Sequence, residues 1–390
     1  MSLRFLTAGE SHGPALTVIV EGLPAGVPVP RDAVDRDLRR RMGGYGRGGR
    51  MRIEKDRVEF LGGVRFGLTL GSPVALAIHN KDFASWAEAM APQGPRPSRE
   101  LSREVTRPRP GHADLAGALK YGTHDARDVL ERASARETAA RTAAGAVARC
   151  LLSEAGIDVT SRTVSVGRAA ASDLEESEFD LLLDLPDDAP MRCVDPEACE
   201  EMIRAVDDAR AAGDSIGGVF EVLARGVPPG LGSHVHWDRR LDGRLGGAIL
   251  SIQAVKGVSI GEGIESASRR GSEQHDAIHH DPARGFFRPT NRAGGIEGGI
   301  ANGEMIRVRG YLKPLATLSR PLRSVDLADK SDALADVERT DTIPIVAAGV
   351  VGEAMACLIL ADELLRKFGG DHLRETLANL KAYRDALRAF

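Results

Sequence analysis

The chain has 390 residues, 42% hydrophobic and 28% charged, a balance ordinary for a soluble globular protein. A formal net charge of -4 at pH 7 and an aromatic content of 4% argue against general attraction to polyanions and against base stacking as the main activity. The 44 glycines are clustered, as expected where backbone must lie close to a ligand or adopt positive φ.

In chain order, strand-like runs occur at residues 3–8, 15–21, 58–64, 74–79, 159–166, 218–227, 254–260 and 305–313. Many alternate apolar and polar side chains, as Ile306-Arg307-Val308-Arg309 does, which is the pattern of half-exposed antiparallel strands. Residues 33–41 read as helical. Ser134-Ala135-Arg136-Glu137 predicts a capping box, followed by an alanine-rich helix that stops near Gly156. Asp195-Pro196 opens another helix with proline at its first position. Residues 349–368 form a third, closed by Gly369-Gly370, and 373–390 an amphipathic fourth. Strands fall in runs between helices rather than in strict alternation, which predicts an α+β fold with antiparallel sheets. The most apolar stretch, around residues 355–364, is broken by Glu353 and Asp362, so no membrane span is expected. Cys150, Cys193, Cys199 and Cys357 show no C-x-x-C spacing and read as reduced, cytoplasmic thiols. Residues 92–110 read as a surface loop, and 266–292, with His275, His279 and His280, as a functional flap.

Several motifs bear on chemistry. Gly9-Glu10-Ser11-His12-Gly13 fits the G-x-S-x-G pattern, but a strand rather than a helix follows it, which excludes a hydrolase nucleophile elbow. A glycine hairpin with solvated Ser and His is the plainer reading. Gly44-Tyr45-Gly46-Arg47-Gly48-Gly49 fits G-x-G-x-x-G, yet a helix precedes it and strand-like residues 51–54 follow, the reverse of a dinucleotide fold. With Arg39, Arg40, Arg41, Arg50 and Arg52 around it, this loop either closes over a small anion or is a solvated basic loop. Arg109-Pro110-Gly111-His112-Ala113-Asp114 puts a histidine at the entrance to a short helix. Arg132-Ala133-Ser134 stands at a helix mouth whose N–H groups, with Arg136, suit an anion. Residues 294–303 carry five glycines in ten positions, a backbone that can approach a flat ring. Lys313-Pro314-Leu315-Ala316-Thr317 leaves a strand with ammonium, amide and hydroxyl groups together, and Arg339-Thr340-Asp341 reads at its simplest as a surface ion pair. No phosphate-binding P-loop, H-E-x-x-H or zinc-spaced Cys/His set is present, so no metal is expected.

Taken in order, these motifs resemble the chorismate synthase family over nearly the whole chain, together with Gly213-Asp214-Ser215-Ile216-Gly217-Gly218 and Gln253-Ala254-Val255-Lys256-Gly257. Ala301, Met305 and Pro344 are small departures. The resemblance implies one domain over residues 1–390, helices packed between antiparallel sheets in a β-α-β sandwich, and a homotetramer. It implies anti-1,4-elimination of phosphate and a proton from 5-enolpyruvylshikimate 3-phosphate, with reduced FMN and no net redox change. His12 would protonate the departing phosphate, as an imidazole of ordinary pKa about 6.5 can. His112 would attend the reduced flavin, and Asp341 would help pass on the substrate proton. FMN would lie along Arg132, Ala133, Ser134, Gln253, Ala254, Gly298, Lys313, Pro314, Leu315, Ala316, Thr317 and Arg339. Ser11, Arg41, Arg47, Arg109 and Arg136 would hold substrate or NADPH, their guanidinium forks suiting carboxylate and phosphate. Reducing equivalents would come from NADPH or an external flavin reductase. Like charges collected in an empty site predict a loose resting cavity whose loops order on binding. Two other readings stand beside this one: a nucleic-acid-binding protein using the Gly-Arg segment, and a flavin oxidoreductase.

Overall fold

The computed structural model describes residues 2–49, 55–283, 285–338 and 340–390. Arg50, the strand-like residues 51–54 with Arg52, and Arg339 lie outside the described residues. Two antiparallel sheets carry the fold. The first has four strands in the order Arg4–Ala8, Ala15–Glu21, Val74–His79, Glu59–Gly62. The second has five, in the order Val255–Ile260, Ile306–Leu312, Gly218–Arg225, Asp158–Val166, Ala169–Ala170. The eight strand-like runs taken in chain order thus each contribute to a sheet, while 51–54 lies outside the described residues. The run at 58–64 breaks at Gly63, whose φ of 81° turns the chain.

Alternation decides which faces are buried. In Ala15–Glu21 the side chains of Leu16, Val18 and Val20 are buried, while Thr17 and Ile19 face outward. Those inward faces pack on helix Thr138–Glu154, whose alanines allow close approach. The second sheet packs on helix Ile345–Phe368 through Asp158–Val166 and Gly218–Arg225. The two helices pack on each other, and Gly145 is the tight point. A Cβ there would lie 2.3 Å from the Cβ of Ala354. Helix Ile345–Phe368 is long and apolar enough to cross a membrane, but its side chains are buried inside the protein, as those of a core helix are.

Two buried polar clusters fasten these layers. Glu353, at the middle of the long helix, accepts from Arg40 at 2.8 and 2.7 Å, from Arg149 at 2.7 Å and from Ser161 at 2.6 Å. Burial alone would raise its carboxyl pKa, but Arg40 and Arg149 outweigh burial and hold it well below the usual range. Asp362, nine residues further along, accepts the backbone N–H of Leu3 at 2.7 Å, so the long helix also holds the start of the first strand.

Local signals needed three corrections. Ser134 does cap, its Oγ accepting from Arg136 N at 3.3 Å, but it opens a single 3-10 turn, Ala135–Glu137. The reciprocal half of the capping box is missing because the Ser134 N–H closes the preceding helix, Arg127–Ala133, on Leu130 O. The long helix begins at Ile345, a turn before the expected residue 349. Segment 266–292, expected as a functional flap, holds a short helix, Gly271–Gln274, and a hairpin of His279–Asp281 with Gly285–Phe287. The surface reading of 92–110 holds at its start, whereas Ser102, Val105, Thr106 and Arg109 are buried.

Candidate active site

A cavity of about 380 Å³ opens where both sheets and the central helices meet. That size is ordinary for small-molecule sites, which run about 300–1,000 Å³. Its wall takes residues from distant parts of the sequence: Ser11 and His12 after the first strand, Arg41 at the end of helix Arg31–Met42, the Arg47–Gly49 loop, Arg109 with 111–113, 133–136 with Thr138, 252–254, Leu312, Lys313 and 315–317, and Glu338, Thr340 and Asp341.

His12 is 8% exposed and tightly held. Its Nδ1 lies 2.9 and 3.1 Å from the two carboxylate oxygens of Glu131, and its backbone N–H donates to Glu131 Oε2 at 2.8 Å. Nδ1 being engaged, Nε2 is the nitrogen left for a ligand. The ring also stacks on Trp86, centroids 3.8 Å apart. Burial would raise the Glu131 carboxyl, but hydrogen bonds from His12 and the charge of Arg127 hold it below its ordinary value. His112 has the same wiring: its Nδ1 pairs with Asp114 Oδ1 and lies 3.1 Å from Arg109 Nη2. Burial of Asp114 is likewise outweighed by His112 and Arg109, and its carboxyl sits well below the usual range.

The predicted anion-binding arginines converge here, and each has a carboxylate partner. Arg136 donates to Asp56 at 2.6 Å and to Asn80 Oδ1 at 2.9 Å. Arg41 lies 3.7 Å from the same Asp56 oxygen and donates to Thr138 Oγ1 at 2.9 Å and Ala135 O at 2.8 Å. Arg109 donates to Asp114 at 2.8 Å and Thr317 Oγ1 at 2.9 Å. Arg47 lies 3.1 Å from Asp341, whose other oxygen accepts from Gly48 N at 2.6 Å. This corrects two expectations. The guanidinium groups do not stand unpaired in the resting state: three carboxylates face the four of them, Asp56 being shared by Arg41 and Arg136. Asp341 pairs with Arg47 across the cavity mouth, so it is more than a surface charge. Within the basic run Arg40 and Arg41 are only 5% and 4% exposed, whereas Arg39 faces solvent.

The wall also carries apolar residues, Ala133, Ala254, Leu315, Ala316 and Val351, together with Ser134, Thr317 and Lys313. Ala254 holds a φ of 68°, costly for alanine and characteristic of functional sites. Gln253 Nε2 donates to Glu137 at 3.2 Å, which turns Gln253 Oε1 the other way, buried and without a hydrogen-bond partner. A buried orphan acceptor on a cavity wall fits a ligand N–H. Lys313 donates to Gly111 O at 2.8 Å, and burial, then the nearby Lys256, lower its pKa. These groups fit an isoalloxazine ring with its N–H and carbonyl edge.

Some expected residues do not line this cavity. Arg132 turns away to the carbonyls of Gly9 and Thr7, both at 3.0 Å. Gly298 sits in the turn between Ile296–Glu297 and Ile300–Ala301, and Pro314 also lies off the wall. His275, His279 and His280 of the 266–292 segment do not reach it either. The sequence reading gave no role to Asp56, Asn80, Trp86 or Glu131. Glu131 had a usable signal, standing four residues after Arg127 on one helix face and one before Arg132. For Asp56, Asn80 and Trp86 no local pattern existed.

These features define a class first: an α+β enzyme whose cavity couples paired arginines and two carboxylate-bound histidines to an apolar wall. The comparisons narrow it. The family model described as chorismate synthase matches residues 3–365. The chain is 57% identical to the chorismate synthase of Desulforudis audaxviator (99% of this chain, 98% of the relative) and 55% identical to that of Symbiobacterium thermophilum (98% of each). It is 52% identical to that of Aquifex aeolicus, covering all of this chain and 99% of the relative. A crystal structure titled chorismate synthase superposes with a TM-score of 0.79 at 42% identity, over 100% of this chain and 99% of that one. The chain belongs to the chorismate synthase family, lyases of aromatic biosynthesis.

Proposed function

We propose that this cavity converts 5-enolpyruvylshikimate 3-phosphate to chorismate by anti-1,4-elimination. The observation that carries the reading is the convergence of Arg41, Arg47, Arg109 and Arg136 with His12 and His112 on one cavity. A substrate with one phosphate and two carboxylates needs several fixed cations, and guanidinium forks pair such groups bidentately. Binding is an exchange of partners: the anion takes over arginine N–H groups that carboxylates hold in the resting state. Capture of Arg47 would release Asp341, freeing a carboxylate near the reacting ring to accept a proton. His12 donates from Nε2 to the departing phosphate, with Ser11 beside it.

Ala133, Ser134, Gln253, Ala254, Lys313, Leu315, Ala316 and Thr317 would hold FMN, with His112 at its edge. Reduced FMN, when bound, supplies transient electron density for phosphate loss with no net redox change. Arg132, Gly298, Pro314 and Arg339 belong to the same set by family resemblance alone. NADPH or an external flavin reductase would provide the reduced cofactor. The finer architecture belongs to this reading too: one domain, a β-α-β sandwich, four copies per assembly, in the cytoplasm. Helix Thr138–Glu154 on one sheet and Ile345–Phe368 on the other support the sandwich.

The test is anaerobic incubation with FMN, dithionite and the enolpyruvyl substrate, followed by ultraviolet detection of chorismate. Product formation with stoichiometric phosphate release supports the reading. No product, or NADPH consumption without substrate as the sole activity, removes it. Light scattering of the purified protein checks the tetramer.

A further inference from the structure

The acid role of His12 depends on which ring nitrogen meets the substrate, and groups outside the substrate's reach decide that. We propose that Glu131 and Trp86 are positioning residues that clamp the His12 imidazole on its edge and its face, presenting Nε2 to the cavity, with Arg127 holding both arms of the clamp. The proposal rests on the assignment of His12 made above.

The edge is held by Glu131. Its carboxylate takes Nδ1 at 2.9 Å and the His12 backbone N–H at 2.8 Å, and its carbonyl takes Ser11 N at 2.9 Å. A carboxylate only accepts, so Nδ1 keeps a hydrogen throughout, and Nε2 is the nitrogen that takes up the catalytic proton and, as part of the imidazolium, delivers it. The face is held by Trp86, stacked at 3.8 Å with 23° between planes. The Arg103 guanidinium lies 3.9 Å over the same indole. The Arg127 guanidinium lies over the indole as well, at 5.1 Å, so two cations and the imidazole pack against it. Arg103 keeps its place by donating to Ser85 O at 2.8 Å and has a left-handed φ of 51°.

Arg127 connects the two arms. Its Nη1 donates to Glu131 at 3.2 Å, its Nε to Arg103 O at 2.9 Å, and its Nη2 to Glu338 at the cavity rim at 2.9 Å. Trp86 is 5% exposed, and its indole N–H is buried with no hydrogen-bond acceptor. A buried tryptophan usually finds an acceptor. Here the ring faces make the contacts, so phenylalanine should serve nearly as well.

The experiment is a double-mutant cycle. Anaerobic turnover with pre-reduced FMN is measured for Glu131→Gln, Trp86→Leu and Trp86→Phe, each alone and combined with His12→Ala. Alone, Glu131→Gln and Trp86→Leu should lower kcat by about 10- to 100-fold, a part of what a general acid contributes. KM should stay within about threefold of wild type, and Trp86→Phe should recover most of the rate. With His12→Ala present, the same changes should cost under about twofold, because their effect passes through the imidazole. Additive losses in that background overturn the clamp.

A second readout does not need turnover. The chain has two tryptophans, so Trp237→Phe isolates Trp86 emission. A stacked imidazole quenches indole, so His12→Ala and Glu131→Gln should each raise the emission. Unchanged emission in Glu131→Gln overturns the proposal. If Glu131→Gln does not fold, Glu131→Asp, one methylene shorter, takes its place. Wild-type turnover in His12→Ala would instead sink the assignment of His12, while the emission measurement still decides whether the clamp exists.

Discussion

Asp56 shows how much one side chain can govern at this site. It is 2% exposed and stands against both Arg136 and Arg41. Asp56→Asn would leave two guanidinium groups without their counter-charge, a defect usually worth about 3–5 kcal/mol when buried. The melting temperature should fall, and inorganic phosphate should recover more of it in the variant than in wild type. Equal phosphate effects would show that the arginines do not bind anions. His12→Ala should cost about 10²–10⁴ in turnover with pre-reduced FMN, the range of general acid catalysis. The histidines and arginines were legible because their motifs are local and ordered along the chain. Their partners were not. Asp56, Asn80 and Glu131 reach the site from other elements, and nothing at residues 54–58 or 78–82 marks a buried ion pair.

At the scale of elements, period-two alternation marked Ala15–Glu21 and Ile306–Leu312, whose burial alternates, but not Gly218–Arg225, where Phe220 to Ala224 are all buried. Ala15–Glu21 is the clean case, with Leu16, Val18 and Val20 inside. Helix ends were less legible. Ile345 begins the long helix without a side-chain cap, and Pro344 before it gave the only sign. The role of Gly145 was invisible, since its neighbour Ala354 lies on another helix. Gly145→Ala places a methyl 2.4 Å from the Ala354 Cα, so the helices must separate. A loss of about 1–3 kcal/mol is expected in urea unfolding, the usual cost of overpacking a core. Glu353→Gln attacks the same helix pair differently. It leaves Arg40 and Arg149 short of charge, and a loss of about 3–5 kcal/mol is expected.

For the whole molecule, buried carboxylates set the response to acid. Glu221 accepts from Arg162, Arg307 and Arg309 across three neighbouring strands. Burial would raise its pKa, but the three guanidinium groups bring it down to about 2 from the usual 4.5. The unfolded chain therefore binds the proton first as pH falls. The stabilisation, about 3 kcal/mol from this shift, is complete above pH ~5 and fades toward pH ~2. Glu131, Glu137, Asp114 and Glu353 are depressed as well and act with the same sign. Denaturant midpoints measured from pH 7 to 3 should fall steeply below 5, and Glu221→Gln should flatten that slope. A midpoint that rose on acidification would contradict the assignment.

The bond from Leu3 to Asp362 has a consequence for biosynthesis. It joins residues 359 apart, and the long helix that supplies Asp362 also covers the second sheet. At roughly 5–20 residues per second, a ribosome delivers that helix about 20–70 s after the first strand. Until then the second sheet lacks its cover, and helix Thr138–Glu154, which covers the first, lacks its partner helix. Nascent chains should stay protease-sensitive along almost their full length and become resistant in one late step, and a chain truncated after residue 344 should never reach it.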